Sequence, residues 1–173
     1  MAMTGAGGKG MSATERDEFL RGGRMFLKIA TTNEAGWPMV SPVWYDWDGA
    51  AFLVVGKERT SYIRNLRRDP RCGLLVDNPE LPYRRVAALG EAEFLPDDFD
   101  WKPPTREMII RYLGEGGLDY GEATFAFARV PVRIWPRQMT TWDGGGFDRT
   151  FQRDTVWHEM ATTPANKGGA WDV

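Results

Sequence analysis

Apolar and polar residues alternate along much of the chain, and this two-residue period predicts β-strands. The pattern predicts six strands, at residues 24–32, 38–47, 50–56, 71–77, 84–95 and 123–136. Short turns join the first three, and the Asp48-Gly49 step between the second and the third is typical of a tight hairpin. These features predict consecutive antiparallel strands at the beginning of a mainly β fold.

Three shorter segments have the spacing of amphipathic helices instead. Ser12 followed by Glu15 forms a capping box, which predicts a helix over residues 12–20. Residues 61–69 place apolar side chains on one helical face before a proline, and residues 103–113 begin with two prolines. Six strands with three short helices predict a small six-stranded antiparallel barrel, not a doubly wound sheet.

The chain has 173 residues, enough for one domain with its own hydrophobic core. Residues 1–11 are rich in glycine and predict a flexible N-terminal arm. Residues 12–139 contain the periodic segments and predict the barrel domain. Residues 140–173 are rich in Gly, Trp and Thr without a clear period, which predicts an irregular C-terminal extension.

Composition argues against several classes of function. The net charge of −2 lacks the basic footprint of a nucleic-acid-binding protein, so we expect no nucleic-acid partner. One cysteine (Cys72) and one histidine (His158) leave no multi-cysteine or multi-histidine metal site, and they predict no nucleophile with a positioned base. The longest apolar run, residues 50–55, is too short to cross a membrane, and the first residues lack a signal-like segment. We therefore expect a cytoplasmic protein with no membrane partner, no metal and no identifiable catalytic side chain.

The most informative stretch is residues 56–71, which carries six cationic side chains and two acidic ones. Lys57, Arg59, Thr60 and Ser61 lie where a predicted strand passes into the beginning of a helix. Free backbone N–H groups, the positive end of the helix dipole, hydroxyl groups and cations meet at such a junction, and together they suit a phosphate monoester. The remaining cations near the helix end are expected to interact with its terminal carbonyl groups in solvent: Arg67, Arg68 and Arg71.

Three segments carry a resemblance to a known family. Residues 36–45 read GWPMVSPVWY, residues 64–71 read RNLRRDPR, and residues 74–77 read LLVD. In this spacing they resemble the pyridoxamine 5′-phosphate oxidase-like split β-barrel superfamily, and within it the branch of flavin and deazaflavin oxidoreductases that use FMN or coenzyme F420. The resemblance covers about residues 19–130.

The resemblance implies a homodimeric split β-barrel that binds the cofactor in a groove between two subunits. The isoalloxazine ring would lie along the strand at residues 39–44, lined by backbone groups of Ser41, Pro42, Val43 and Trp44. The phosphate would be held at the following strand-to-helix junction by Val55, Gly56, Lys57, Arg59, Thr60, Ser61 and Arg64. The implied function is hydride transfer to or from a small conjugated substrate, with FMN as the expected cofactor and F420 as the alternative.

Trp142 is predicted to fold over the cofactor, because an indole ring stacks well on a flavin and the glycines that follow permit a lid. A tail anchored by one aromatic side chain is the alternative interpretation of the same residues.

Two alternative functions remain open from the sequence. Many proteins of the superfamily carry a lysine two residues before the Arg64-Asn65-Leu66 triplet, where this chain has Tyr62. That difference favours a barrel that binds or sequesters a flavin without turning it over. A barrel for single-stranded nucleic acid would use Arg67 and Arg68 with aromatic platforms, but the acidic balance of charge argues against it.

Overall fold

Seven strands and four α-helices make up the part of the chain that this computed structural model describes, residues 10–80 and 82–144. The strands are β1 (Leu27–Thr32), β2 (Pro38–Val43), β3 (Asp46–Trp47), β4 (Phe52–Gly56), β5 (Arg71–Asn78), β6 (Arg84–Phe94) and β7 (Val130–Asp143). The helices are α1 (Ala13–Arg21), α2 (Ser61–Arg68), α3 (Lys102–Leu113) and α4 (Leu118–Thr124), with a 3₁₀ turn at Glu115–Gly117.

All seven strands belong to one antiparallel sheet with the order β2-β1-β5-β6-β7-β4-β3. The sheet curls into a half-barrel, and one of its faces supplies alternate buried residues such as Leu27, Ile29 and Val54. Helix α2 covers this core with Ile63 and Leu66, both almost fully buried. The predicted mainly β, antiparallel fold is therefore confirmed.

The predicted strand at residues 38–47 is divided into β2 and β3, so the described residues contain seven strands where six were predicted. The chain leaves the ladder at Trp44 and Tyr45 before it pairs with β4. Tyr45 is fully buried, and its hydroxyl donates a hydrogen bond to the carbonyl of Leu20 at 2.7 Å. This buried long-range contact holds Tyr45 at the point where the pairing of β2 with β1 has ended.

The predicted strand at residues 123–136 is wrong in its first half, because residues 118–124 form helix α4 and β7 begins only at Val130. Gly121 allows α4 to pack closely on α3, since a Cβ there would stand 3.1 Å from Cγ1 of Ile109. At the other end, β7 continues to Asp143. The first four residues of the predicted irregular extension, which was to begin at residue 140, are therefore part of the strand. The eleven-residue β6 supplies a pairing partner for these last residues as far as Arg84.

The predicted capping box of α1 is confirmed. The backbone N–H of Glu15 donates to the Ser12 hydroxyl at 3.2 Å, and the Glu15 carboxylate accepts from the Ser12 N–H at 2.8 Å. Residues 1–9 and 145–173 lie outside the described part of the chain, together with most of the predicted N-terminal arm and C-terminal extension. No helix in the described ranges has the length and apolar composition needed to span a membrane.

Candidate functional site

The strand-to-helix junction lies between the end of β4 at Gly56 and the beginning of α2 at Ser61. Thr60 is the N-cap residue of α2, but its side chain does not cap the helix. Its hydroxyl donates instead to the carbonyl of Lys57 at 2.7 Å. The first N–H groups of α2 therefore have no side-chain acceptor from the cap, and the positive end of the helix dipole faces outward at the junction.

Three cations close to this helix end in the sequence have no acidic partner among the described residues. Within residues 10–80 and 82–144, no ion pair involves Lys57, Arg59 or Arg64. The nearest acidic residue in the sequence, Glu58, pairs with Arg67 instead of with these three. Its carboxylate accepts two hydrogen bonds from Arg67, at 2.7 and 2.8 Å, and these bonds lower the pKa of Glu58.

Arg129 is a fourth cation at the junction, and the sequence analysis did not select it. Its charge acts on the hydroxyl of Tyr62, which is 8% exposed. Burial raises the pKa of Tyr62, while a hydrogen bond with Thr60 and the Arg129 charge oppose that rise. Tyr62 is thus a neutral group at neutral pH, and Arg129 brings a positive charge close to the position where many relatives carry lysine.

Phe127 lies beside the junction and was also missed, because its segment was predicted to be part of a strand with no link to the junction. The ammonium group of Lys57 stands over the Phe127 ring, 5.7 Å from its centroid. A cavity of about 350 Å³ is bordered there by Lys57, Glu58, Arg59, Phe127 and Ala128. No pattern in residues 118–129 pointed to this contact, since it depends on where β7 begins.

Strand β2, along which the ring was predicted to lie, is at an edge of the sheet. It pairs only with β1, so the backbone groups on its other side take no part in a described ladder. Ser41 and Val43 are half-buried, and Pro42 is exposed. The strand therefore offers free backbone donors and acceptors next to apolar side chains.

Trp44, the last residue of the predicted ring-binding set, is engaged by helix α3. Its indole stacks on Tyr112 with the centroids 4.9 Å apart and the planes 3° from parallel. Tyr112 also stacks on Phe26 at 5.6 Å, and its hydroxyl donates to the carbonyl of Met25 at 2.8 Å. One face of the Trp44 indole is thus already covered by Tyr112 of the same chain.

Trp142 is close to the end of β7 that is remote from the junction. It pairs with Arg85 of β6, whose guanidinium lies 5.5 Å from the indole centroid. Gly56 pairs with Val130, at the beginning of the same strand. Within one chain the structure therefore does not bring Trp142 to the phosphate end of the predicted site, and its role over the cofactor stays a prediction.

The cations at the other end of α2 bind different partners from those expected. Arg68 donates to the carbonyl of Thr32 in β1, not to carbonyls of its own helix. Arg71 pairs with Asp69 at 2.7 Å, and the side-chain and backbone hydrogen bonds from Arg71 lower the pKa of Asp69 to about 2. At this end of the helix, Arg68 and Arg71 thus already have hydrogen-bonding partners on the protein surface.

The described residues contain neither a reactive cysteine nor a cluster of side chains that could hold a metal. Cys72 is buried in the core, and burial raises its pKa to about 12, which keeps the thiol protonated and unreactive at neutral pH. Among the described residues, no group of three or more His, Cys, Asp or Glu side chains is placed to hold a metal. His158 lies outside those residues.

A curled antiparallel sheet, with a basic strand-to-helix junction beside β4, defines the class of split β-barrel proteins. The family described as pyridoxamine 5′-phosphate oxidase matches residues 13–142, and the chain belongs to this family. The resemblance found in the sequence is thereby confirmed. A comparison with curated protein sequences gives no match.

Solved structures agree with this assignment. The conserved hypothetical protein Rv2991 from Mycobacterium tuberculosis is 26% identical, with a TM-score of 0.67 over 83% of this chain and 91% of that one. A FAD-binding protein (mll6688) from Mesorhizobium loti is 24% identical, with a TM-score of 0.57 over 77% and 93%. An F420 reductase is 23% identical, with a TM-score of 0.55 over 70% and 94%. Heme-binding proteins also share the fold.

Proposed function

We propose that this protein is an oxidoreductase that binds a phosphorylated flavin or deazaflavin and transfers a hydride to or from a small conjugated substrate. The observation that carries the proposal is the junction between β4 and α2. There an uncapped helix end lies near Lys57, Arg59, Arg64 and Arg129, and none of these four forms an ion pair with a described carboxylate. A phosphate monoester, which carries about 1.5 to 2 negative charges at neutral pH, is the ligand that this arrangement suits.

The groups at the junction fit a phosphate in geometry as well as in charge. Backbone N–H groups donate along the helix axis, and arginine side chains donate in pairs to phosphate oxygens. Arg64 lies one turn into α2. Long side chains in helices generally extend toward the helix N-terminus, so we expect its guanidinium to reach the phosphate. Tyr62 adds a neutral hydroxyl at the base of the same site.

FMN is the expected cofactor, and F420 is the alternative. When bound, either group supplies the hydride chemistry, and the protein supplies binding, orientation and exclusion of water. The fold supports a flavin and a deazaflavin, since a FAD-binding protein and an F420 reductase share it. The edge strand β2 would hold the ring through backbone groups of Ser41, Pro42, Val43 and Trp44, next to Tyr112.

We propose that the protein is a homodimer and that the outer face of its sheet forms the interface. Val40, Ala30, Gly73 and Leu89 lie in register across β2, β1, β5 and β6 on that face. Val40 is 64% exposed and Leu89 is 59% exposed. Such a continuous apolar row on a monomer is typical of a surface that a partner covers.

Light scattering of the full chain at micromolar concentration tests the dimer. We expect a species of twice the chain mass, and Val40→Glu should shift it to the monomer by placing a charge in the apolar row. A wild-type protein that remains monomeric would contradict the two-subunit site.

Titration of the purified protein with FMN and with riboflavin tests the phosphate site. Arg59→Ala should weaken FMN binding by about 1.5–3 kcal/mol, because a charge-assisted hydrogen bond is lost. Riboflavin, which lacks the phosphate, should bind equally well to both proteins. The matched control is Arg71→Ala, since Arg71 is also exposed to solvent but is paired with Asp69 at the other end of α2.

Equal loss of both ligands in Arg59→Ala would show that the phosphate is held elsewhere. F420 is titrated in parallel, and tight F420 binding with negligible FMN binding would reverse the expected order of cofactors.

Binding without turnover is the second candidate function, and the presence of Tyr62 where relatives carry lysine favours it. Anaerobic reduction of the loaded protein, followed by mixing with a small quinone, distinguishes the two. An oxidoreductase reoxidises its cofactor faster than free reduced FMN reacts, whereas a sequestering protein slows that reaction.

A further inference from the structure

We propose that Arg111 of helix α3 stabilises the reduced form of the bound cofactor through its positive charge. This inference rests on the proposed function, because the ring is taken to lie along β2. Two-electron reduction of FMN with uptake of one proton leaves a negative charge on the ring. A fixed positive charge nearby favours that form over the neutral oxidised ring. Arg111 would thus set the redox balance of the cofactor without being a catalytic residue.

Arg111 is a largely buried cation with few hydrogen-bonding partners. Its side chain is 18% exposed, and its Nε atom has no acceptor among the described residues. Its Nη2 atom donates one long hydrogen bond, of 3.4 Å, to the hydroxyl of Tyr112. Buried polar groups are almost always hydrogen-bonded, because leaving them without a partner costs free energy. This exception therefore calls for a functional explanation.

Aromatic rings, not carboxylates, form the immediate surroundings of the Arg111 guanidinium. Its central carbon lies 4.9 Å from the centroid of the Tyr45 ring and 5.0 Å from that of the Tyr112 ring. Such contacts stabilise a cation without neutralising it. The rings also exclude water from the guanidinium, so that its charge is screened less than that of an exposed arginine.

Asp46 is the one described carboxylate within ion-pair distance of Arg111. Its Oδ1 atom lies 3.9 Å from Nη1, and no hydrogen bond joins the two side chains. The Asp46 side chain is 41% exposed, so water stabilises part of its charge. Asp46 therefore offsets only a part of the positive charge of Arg111.

The position of Arg111 brings this charge to the strand predicted to hold the ring. Residues 44–46 follow β2 directly, and Arg111 contacts the second and the third of them. The first, Trp44, stacks on Tyr112, so the Arg111 guanidinium lies within about 10 Å of the Trp44 indole. A partly buried charge acts over this range, because little water intervenes.

Titration of the full chain with oxidised FMN and, after anaerobic reduction with dithionite, with reduced FMN tests the proposal. Tryptophan fluorescence follows both titrations. Arg111→Gln should weaken the binding of reduced FMN by about tenfold and change that of oxidised FMN by less than about twofold. The midpoint potential of bound FMN should then fall by about 30 mV, the equivalent of a tenfold change for a two-electron couple. Arg111→Lys, which keeps the charge, should retain most of the preference for reduced FMN.

Asp46→Asn should have the opposite effect, because it removes the charge that partly offsets Arg111. We expect reduced FMN to bind this variant about two- to threefold more tightly, with little change for oxidised FMN. The matched control is Arg106→Gln, since Arg106 also lies on α3 but is paired with Glu122. This variant should bind both forms like the wild type, and circular dichroism verifies the fold of each variant.

A purely structural role for Arg111 would weaken the binding of oxidised and reduced FMN alike. That result, or an unchanged ratio of the two affinities in both Arg111→Gln and Asp46→Asn, would overturn the inference and leave the proposed function standing. If F420 binds and FMN does not, the same comparison is made with oxidised and reduced F420. Failure of both cofactors to bind would instead remove the proposed function on which the inference rests.

Discussion

Both ends of helix α2 carry cationic side chains, but among the described residues those at the N-terminal end are unpaired and those at the C-terminal end are paired. At the N-terminal end, Lys57, Arg59 and Arg64 have no ion pair with any described residue. At the C-terminal end, Arg67 binds Glu58 and lies 4.4 Å from the Phe94 centroid. Its neighbours there are also engaged, Arg68 with a β1 carbonyl and Arg71 with Asp69.

This difference shows why a count of positive charges does not locate a binding site. Paired cations on a surface have little free energy left to give to a ligand, since the competing carboxylate must first be displaced. Unpaired cations at a helix N-terminus lie in a positive potential that an anion relieves. The pairing of Glu58 with Arg67 is the decisive detail, because the Glu58 carboxylate borders the same cavity as Lys57 and Arg59 but is already bound to another cation.

The largest expected effect separates Arg64 from Arg68, which lie one helical turn apart. Arg64→Ala should weaken FMN binding by about tenfold or more, because a charge-assisted hydrogen bond to the phosphate is lost. Arg68→Ala should change the affinity by less than about twofold, since Arg68 is bound to the Thr32 carbonyl. Fluorescence titration measures the FMN affinity of both variants. Equal losses would contradict the proposed difference between the two ends of α2.

A substitution at Gly56 tests how closely the N-terminal end is packed. A Cβ at this position would overlap the Tyr62 hydroxyl and stand 2.9 Å from Cγ1 of Ile63. Gly56→Ala should therefore lower the free energy of unfolding by about 1–3 kcal/mol, the usual cost of overpacking. Urea denaturation measures the change, and Tyr62→Phe in the same chain should recover part of it. No loss of stability would mean that the junction is loosely packed.

Loss of the ion pair between Glu58 and Arg67 should weaken cofactor binding at the junction. Arg67→Ala frees the carboxylate to approach Lys57 and Arg59, and we expect FMN affinity to fall about two- to fivefold. The double variant Glu58→Gln/Arg67→Ala should restore it, because the competing charge is gone. If the double variant binds as weakly as the single one, Arg67 itself contacts the ligand.

The smallest effect concerns the C-terminal end, where Asp69 should titrate at about pH 2 by NMR. Its pKa is lowered in the folded state from an ordinary value of 3.8, so its contribution to stability is present above about pH 4. That contribution is lost as the pH falls toward 2. Arg71→Ala should return the midpoint toward 3.8, and an unchanged midpoint would show that Arg71 does not hold the carboxylate.

Local patterns in the sequence were sufficient for the junction itself. The strand that ends at Gly56, the turn and the helix that begins at Ser61 depend on neighbouring residues, and the structure has them where the pattern predicted. The capping box of Ser12 and Glu15 is equally local. Such features are decided by backbone hydrogen bonding and side-chain periodicity within a few residues.

Residues 123–129 show where that reasoning fails. Phe125 and Phe127 alternate with small residues as in a strand, yet Thr124 ends a helix that packs on α3 through Gly121. Neither alternation nor propensity reveals that a glycine surface fits against Ile109. A tertiary contact overrides the local preference.

The sequence by itself determined the mainly β class, the family and the position of the basic junction, because these depend on local periodicity and on motifs of fixed spacing. Which cations stay unpaired depends on tertiary contacts, because Glu58 pairs with Arg67, nine residues away, and not with the adjacent Lys57 or Arg59. The tertiary structure also brought Phe127 and Arg129 to the junction, about seventy positions further along the chain. Pairing across the sheet brings such residues together, and no pattern within one segment encodes it.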